Sequence, residues 1–249
     1  MRNRRYAVAS AVVCVIIAVF LVLPLVRCCI RNDKEDFTPE NGDVVESGMQ
    51  EELIDVEPLC QYPLLPTGCE SVSAVMVLNF YGDSVDMETF AKHWLPKNSD
   101  FYTYEGEDFG PDPEKTFAGD PFTAYGYGCY APVIAQSINN NSSNCNAYTV
   151  IGKDLSFVLS EYIDKGMPVL VWATMDMTPV KKGQSWTTPE GEEFIWTSGE
   201  HCLVLVGYDE KYCYFNDPLS GELTKYKRTL SEKRYNEMGK QAVVITHKK

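Results

Sequence analysis

Gln61-Tyr-Pro-Leu-Leu-Pro66-Thr67-Gly68-Cys69-Glu70-Ser-Val-Ser-Ala-Val-Met-Val-Leu-Asn79-Phe80-Tyr81-Gly82 sets a cysteine at the start of an unusually apolar helix. Thr67 is placed to cap that helix, and Glu70, three residues on, to reach back and complete a capping box, which puts Cys69 in the first turn. There the macrodipole and the unbonded N–H groups favour thiolate over thiol and can lower a cysteine pKa by about one unit or more. The run from Val72 to Tyr81 is apolar on nearly every face, so the helix is expected in the centre of a domain, with Gly82 ending it. An ionised thiol in such a place is the nucleophile of covalent catalysis.

A cysteine nucleophile needs a base, and the chain has 3 histidines, His93, His201 and His247. His247 lies two residues from the end of the sequence, and His93 sits in a polar helix ending. His201 instead opens His201-Cys-Leu-Val-Leu-Val-Gly207-Tyr208, a buried strand by its length and its branched apolar content. A turn at Asp209-Glu210 leads into Lys211-Tyr-Cys-Tyr-Phe-Asn216-Asp217-Pro218, so the two runs form an antiparallel hairpin that Pro218 stops.

The imidazole needs an orienting acceptor, and Asn216 and Asp217 both qualify. A strict two-residue turn puts Asn216 on the His201 face, whereas a three-residue loop or a bulge puts Asp217 there. For the oxyanion, Gln61 in its extended Pro-containing stretch offers a side-chain amide beside the backbone N–H of Cys69.

Gln61, Leu65-Pro66-Thr67-Gly68-Cys69-Glu70, Asn79-Phe80-Tyr81-Gly82, Glu200-His201 through Tyr208-Asp209, and Asn216-Asp217-Pro218 together resemble cysteine peptidase family 39 and its stand-alone relatives, in the papain-like superfamily. The similarity runs from about residue 57 to about residue 246 and takes in Gly119-Asp120-Pro121, Tyr127-Gly128 and Gly166-Met-Pro168-Val-Leu-Val-Trp172. The resemblance implies Cys69 as nucleophile, His201 as base and acid, Asp217 as orienting carboxylate and Gln61 as oxyanion donor. The separation of Gln61 from Cys69 is about two residues longer than in the bacteriocin-leader-processing members, and no transporter or ATPase segment is present. Their leader-peptide substrate is therefore not carried over.

Around this core, 249 residues with 45% hydrophobic content suit one good-sized domain with accessory segments. Residues 1–31 read as a cytoplasmic tip and a transmembrane anchor: no charge lies between Arg5 and Arg27, and the roughly 21 residues of 6–26 would span about 31 Å as a helix. A cleaved signal peptide competes with the anchor, but the apolar run is long for an h-region and no Ala-x-Ala site follows. Arg2, Arg4 and Arg5 before the span keep the N-terminus cytoplasmic and the catalytic domain, 57–249, outside the cell membrane. Between them, 32–56 is an acidic flexible stem. The net charge is −13, and the first 32 residues hold five arginines and no acids, so nucleic acid is excluded as a partner.

Of the 9 cysteines, Cys129 and Cys145 form a plausible extracellular loop closure. No metal-ligand spacing appears and no cofactor is implied. Helices are expected at 86–94, 131–139, 155–165 and 231–239, and strands at 168–175, 222–226 and 241–246. The class is α+β: a papain-like fold with its central N-terminal helix packed on an antiparallel sheet, after one transmembrane helix. An aromatic loop at 97–130 and a Trp-bearing insertion at 178–199 flank the expected cleft. The reading is a membrane-anchored cysteine peptidase acting on a peptide or protein. An amidase or transpeptidase on cell-wall peptides and an inactive peptide-binding surface module are the alternatives.

Overall fold

The computed structural model describes residues 53–248. The expected span at 6–26, most of the stem, and Cys14, Cys28 and Cys29 lie outside the described residues. Among the described residues no helix is long and apolar enough to cross a membrane.

The chain enters α1 (Cys69–Phe80) and then α2 (Met87–Thr89), which runs on as a π-helical turn at Phe90–Trp94. Four short strands follow: β1 (Lys97–Asn98), β2 (Tyr102–Tyr104), β3 (Glu107–Phe109) and β4 (Phe117–Ala118). Next come α3 (Ala131–Asn141), β5 (Cys145–Ile151), α4 (Leu155–Glu161), β6 (Val169–Thr174) and the hairpin of β7 (Lys181–Thr187) and β8 (Glu193–Ser198). The fold closes with β9 (Glu200–Tyr208), β10 (Tyr212–Asp217), β11 (Glu222–Lys227), α5 (Arg228–Glu237) and β12 (Gln241–His247).

Six strands make one sheet in the order β11-β10-β9-β6-β12-β5, and every neighbouring pair in it is antiparallel. Helices cover both faces, so its central strands are apolar throughout rather than alternating. On one face Cys202, Val204, Val206, Leu170 and Trp172 join the side chains of α1 and α3 in one core. On the other, Leu203, Leu205, Val169 and Val171 join those of α4 and α5 in a second. This explains why α1 is apolar all round: residues Cys69 to Leu78 are buried without interruption, wedged between the sheet and the loops beyond it. Past its C-terminus, the N–H of Gly82 donates to the Asn79 carbonyl and that of Asp83 to the Leu78 carbonyl, both at 2.9 Å, with Gly82 at φ 77°.

Three segments depart from the sequence reading. The aromatic loop 97–130 carries β1 to β4, and the 178–199 insertion is the β7–β8 hairpin, joined with β2 and β3 in a four-stranded sheet. The third, β5, went unread because it is a half-exposed edge strand whose only interior partner is β12. The expected closure of Cys129 with Cys145 is also corrected, since both are buried free thiols, whereas Cys60 is disulfide-bonded.

Candidate active site

The cysteine turn is built by close packing rather than by the expected capping box. Gly68 is the N-cap and offers no side chain, because a Cβ there would meet the Leu65 Cβ at 2.7 Å. The Thr67 hydroxyl, expected to cap, donates instead to the Thr123 carbonyl at 3.0 Å and ties the turn to the 119–128 loop. Glu70 does not reach back to the N-cap. It turns inward, where one carboxylate oxygen accepts the Cys129 N–H at 2.6 Å and the other accepts the Cys69 S–H at 3.3 Å.

The sulfur of Cys69 lies against the first residues of β9, bracketed by Glu200 and Cys202, the two chain neighbours of His201. One oxygen each of Glu70 and Glu200 lies within 4.8 Å of the other and of the sulfur. Burial pushes the Cys69 thiol well above its ordinary value, and the charges of Glu70 and Glu200 push it further, against a backbone hydrogen bond from Cys202. That reverses the expected low pKa: loss of water around the sulfur and two adjacent acids outweigh the helix end. Burial likewise raises Glu70 to about 7, opposed by the Cys129 N–H, and raises Glu200 well above the carboxylate range, with the charge of Glu70 adding to it.

His201 is buried, and its Nε2 lies 2.7 Å from Asp217 Oδ1. Register accounts for this partner. Pairing of β9 with β10 shifts between Tyr214 and Phe215, so that Phe215 faces Leu205 and Asn216 faces Val204. Asp217 then falls in line with Leu203, two residues from His201 and on its face of the sheet. Asn216 turns to the opposite face, where its amide donates to the Val56 carbonyl at 2.6 Å, which removes it as the orienting alternative. Burial works to raise the Asp217 pKa, but the hydrogen bond and charge of His201 and the Leu219 N–H outweigh it and hold the carboxyl below its ordinary value. His201 Nδ1 is buried without a hydrogen-bond partner among the described residues.

Gln61 is buried and joins the two halves of the site. Its N–H donates to the Pro218 carbonyl at 2.8 Å, next to Asp217, and its side-chain Nε2 donates to the Pro66 carbonyl at 2.9 Å, in the cysteine turn. The Phe101, Tyr127, Trp186, Phe194 and Trp196 rings of the aromatic loop and hairpin pack on one another, with Tyr127 and Trp186 centroids 5.0 Å apart. Trp186 and Trp196 are buried, so this is core packing. It touches the site at Gly128, where a Cβ would meet Glu70 Oε1 at 2.5 Å, Trp196 Cη2 at 2.9 Å and Glu200 Oε2 at 3.1 Å.

Sequence reasoning missed Glu200 altogether and gave Glu70 the wrong task. The available signal was a carboxylate placed directly before a buried apolar strand, which reads equally well as a solvated strand end.

A mixed α/β fold with a buried cysteine at a helix start, set against a strand that carries one member of a buried histidine–carboxylate pair, has the parts of a cysteine-peptidase type of protein. The chain belongs to the Peptidase_C39 like family, which matches residues 53–243. It is 38% identical over 183 residues to the uncharacterized protein YvpB of Bacillus subtilis (strain 168), covering 74% of this chain and 70% of that one. A crystal structure described as a C39-like peptidase from Bacillus anthracis superposes with a TM-score of 0.68 at 28% identity, over 80% of this chain and 99% of the other.

Proposed function

We propose that the chain is a papain-like cysteine peptidase in which Cys69 attacks a peptide or related amide carbonyl. His201 Nδ1 takes the thiol proton as the S–C bond forms and returns it to the leaving amine, and water then hydrolyses the acyl-enzyme. Asp217 holds the ring through Nε2 and stabilises the imidazolium. Gln61 Nε2, already in the cysteine turn, and the Cys69 N–H stabilise the oxyanion. The observation that carries this reading is the buried His201–Asp217 pair at 2.7 Å, with Nδ1 unpartnered among the described residues, at the start of the strand on which the Cys69 sulfur rests.

The apolar run at 6–26 supports a single-pass anchor with the catalytic domain outside the membrane. Protease treatment of intact cells tests this: loss of the domain is expected, and protection would put it on the inner side.

Mass analysis of the full chain reacted with a peptide thioester tests the chemistry. An acyl adduct on Cys69 is expected, absent in Cys69→Ala and formed about a hundredfold or more slowly in His201→Ala. Acylation spread over other cysteines, or indifferent to His201, overturns the assignment.

A further inference from the structure

Behind the Cys69 sulfur, two acids are packed together. Glu70 is 0% and Glu200 4% exposed, and an oxygen of each lies within 4.8 Å of the other and of the sulfur. The two acids are not equally satisfied. Glu70 accepts from the Cys69 S–H and the Cys129 N–H, whereas Glu200 Oε1 is buried with no hydrogen-bond partner among the described residues. Gly128 lets them close up, since a Cβ there would strike both carboxylates.

The titratable groups facing this cluster come from every element around it. Cys69 and Glu70 belong to α1; Glu200, His201 and Cys202 to β9; Cys129 and Tyr130 to the start of α3, with Glu114 acting on both; and Tyr62 to the segment before the cysteine turn. His201 is the one potential cation among them, and its Nε2 is taken by Asp217. Two carboxylates in so dry a place, without a cation between them, cannot both be ionised, and the lower-cost arrangement keeps a proton on the pair. Glu200, with one oxygen that no donor stabilises, is then the acid whose charge costs more and which takes the proton.

We propose that Glu70 and Glu200 are positioning residues that hold one proton between them and keep the resting Cys69 as a neutral thiol donating to Glu70, so that the thiolate arises during attack instead of standing preformed beside an imidazolium. The inference rests on the reading of Cys69 as the nucleophile. The upward shifts of Glu70, Glu200 and Cys69 accord with it. It also gives a use to two charged residues that the Cys–His–Asp scheme leaves idle.

The test is iodoacetamide alkylation of the full chain across pH, read by mass at Cys69. Glu70→Gln/Glu200→Gln keeps the shapes and removes the negative charge of the pair, so its thiol is expected to titrate at lower pH and to react about tenfold or more faster at pH 7 than wild type, one pKa unit being a factor of about ten in thiolate. An unchanged or slower rate overturns the proposal. So does faster alkylation of wild type on adding EDTA, which would put a cation where the proton is proposed. Should the double variant fail to fold, the infrared C=O stretch of a protonated carboxyl decides: it is expected in wild type at pH 7 and lost in Glu200→Gln, and its absence from wild type overturns the proposal. The readout is thiol titration, not turnover. A chain that alkylates as expected yet hydrolyses nothing would therefore overturn the peptidase reading alone.

Discussion

Two buried polar pairs meet at adjacent residues of β9, Glu200 and His201, and they solve burial in opposite ways. His201 and Asp217 unite a group that can be positive with one that is negative, 2.7 Å apart, and the carboxyl is held below its ordinary pKa. Glu70 and Glu200 unite two acids, and both are driven up. What differs is the partner, since all four side chains are buried. Burial penalises charge in each case, but only the first pair contains its own counter-charge.

The largest expected effect breaks the first pair. Asp217→Asn keeps the shape but removes the charge that stabilises the imidazolium, so kcat/KM on a cleaved peptide should fall by about 10²–10⁴. Asn216→Ala in the same assay should leave it nearly unchanged.

The next prediction separates the pairs by the sign of their pH dependence. Asp217, with its lowered folded pKa, contributes stability that is present above the unfolded value of about 3.9 and lost as pH falls through the folded value. Glu70, with its raised folded pKa, contributes stability that is present below the unfolded value of about 4.3 and lost as pH rises to about 7. Urea unfolding of wild type should thus weaken between about pH 4.3 and pH 7 by an amount on the order of a few kcal/mol, and Glu70→Gln should flatten that slope. An unaltered slope in Glu70→Gln would mean that the carboxyl is not protonated in the fold.

A smaller effect comes from forcing the acids apart. Gly128→Ala places a methyl 2.5 Å from Glu70 Oε1 and 2.9 Å from Trp196 Cη2, at a residue with φ 154°. It should cost about 1–3 kcal/mol in urea unfolding and make the loss of stability with pH shallower as the separated acids ionise more readily. Smallest is the structural cost of Asn216→Ala. It leaves the Val56 carbonyl without its 2.6 Å donor, at about 1–2 kcal/mol in a thermal melt, with no change in pH dependence.

Much of this site was legible because it is local. A helix start after Pro66-Thr67-Gly68, ten buried residues from Cys69 to Leu78 and a glycine at its end are matters of neighbours within a few positions, as is the apolar strand that His201 opens. The second and third helices, at 86–94 and 131–139, were equally plain from their caps and periodicity, and they correspond to α2 with its π-helical turn and to α3. The edge strand β5 and the β7–β8 hairpin were not, since half-exposed strands take their conformation from partners distant in the chain.

The sequence by itself determined that a cysteine would begin a buried helix, that His201 would open a core strand, and that Asn216 or Asp217 would close the hairpin beside it, because propensity and periodicity act over a few residues. Tertiary structure alone decided the rest. A bulge at Tyr214–Phe215 turned Asp217 rather than Asn216 to the imidazole, since one residue of slip reverses every side chain beyond it. Packing α1 on β9 brought Glu70 to Glu200, 130 positions along the chain, and in excluding water it pushed up the pKa of a thiol expected to be acidic. Ionisation depends on what surrounds a group in space, and that is set by contacts between distant parts of the chain.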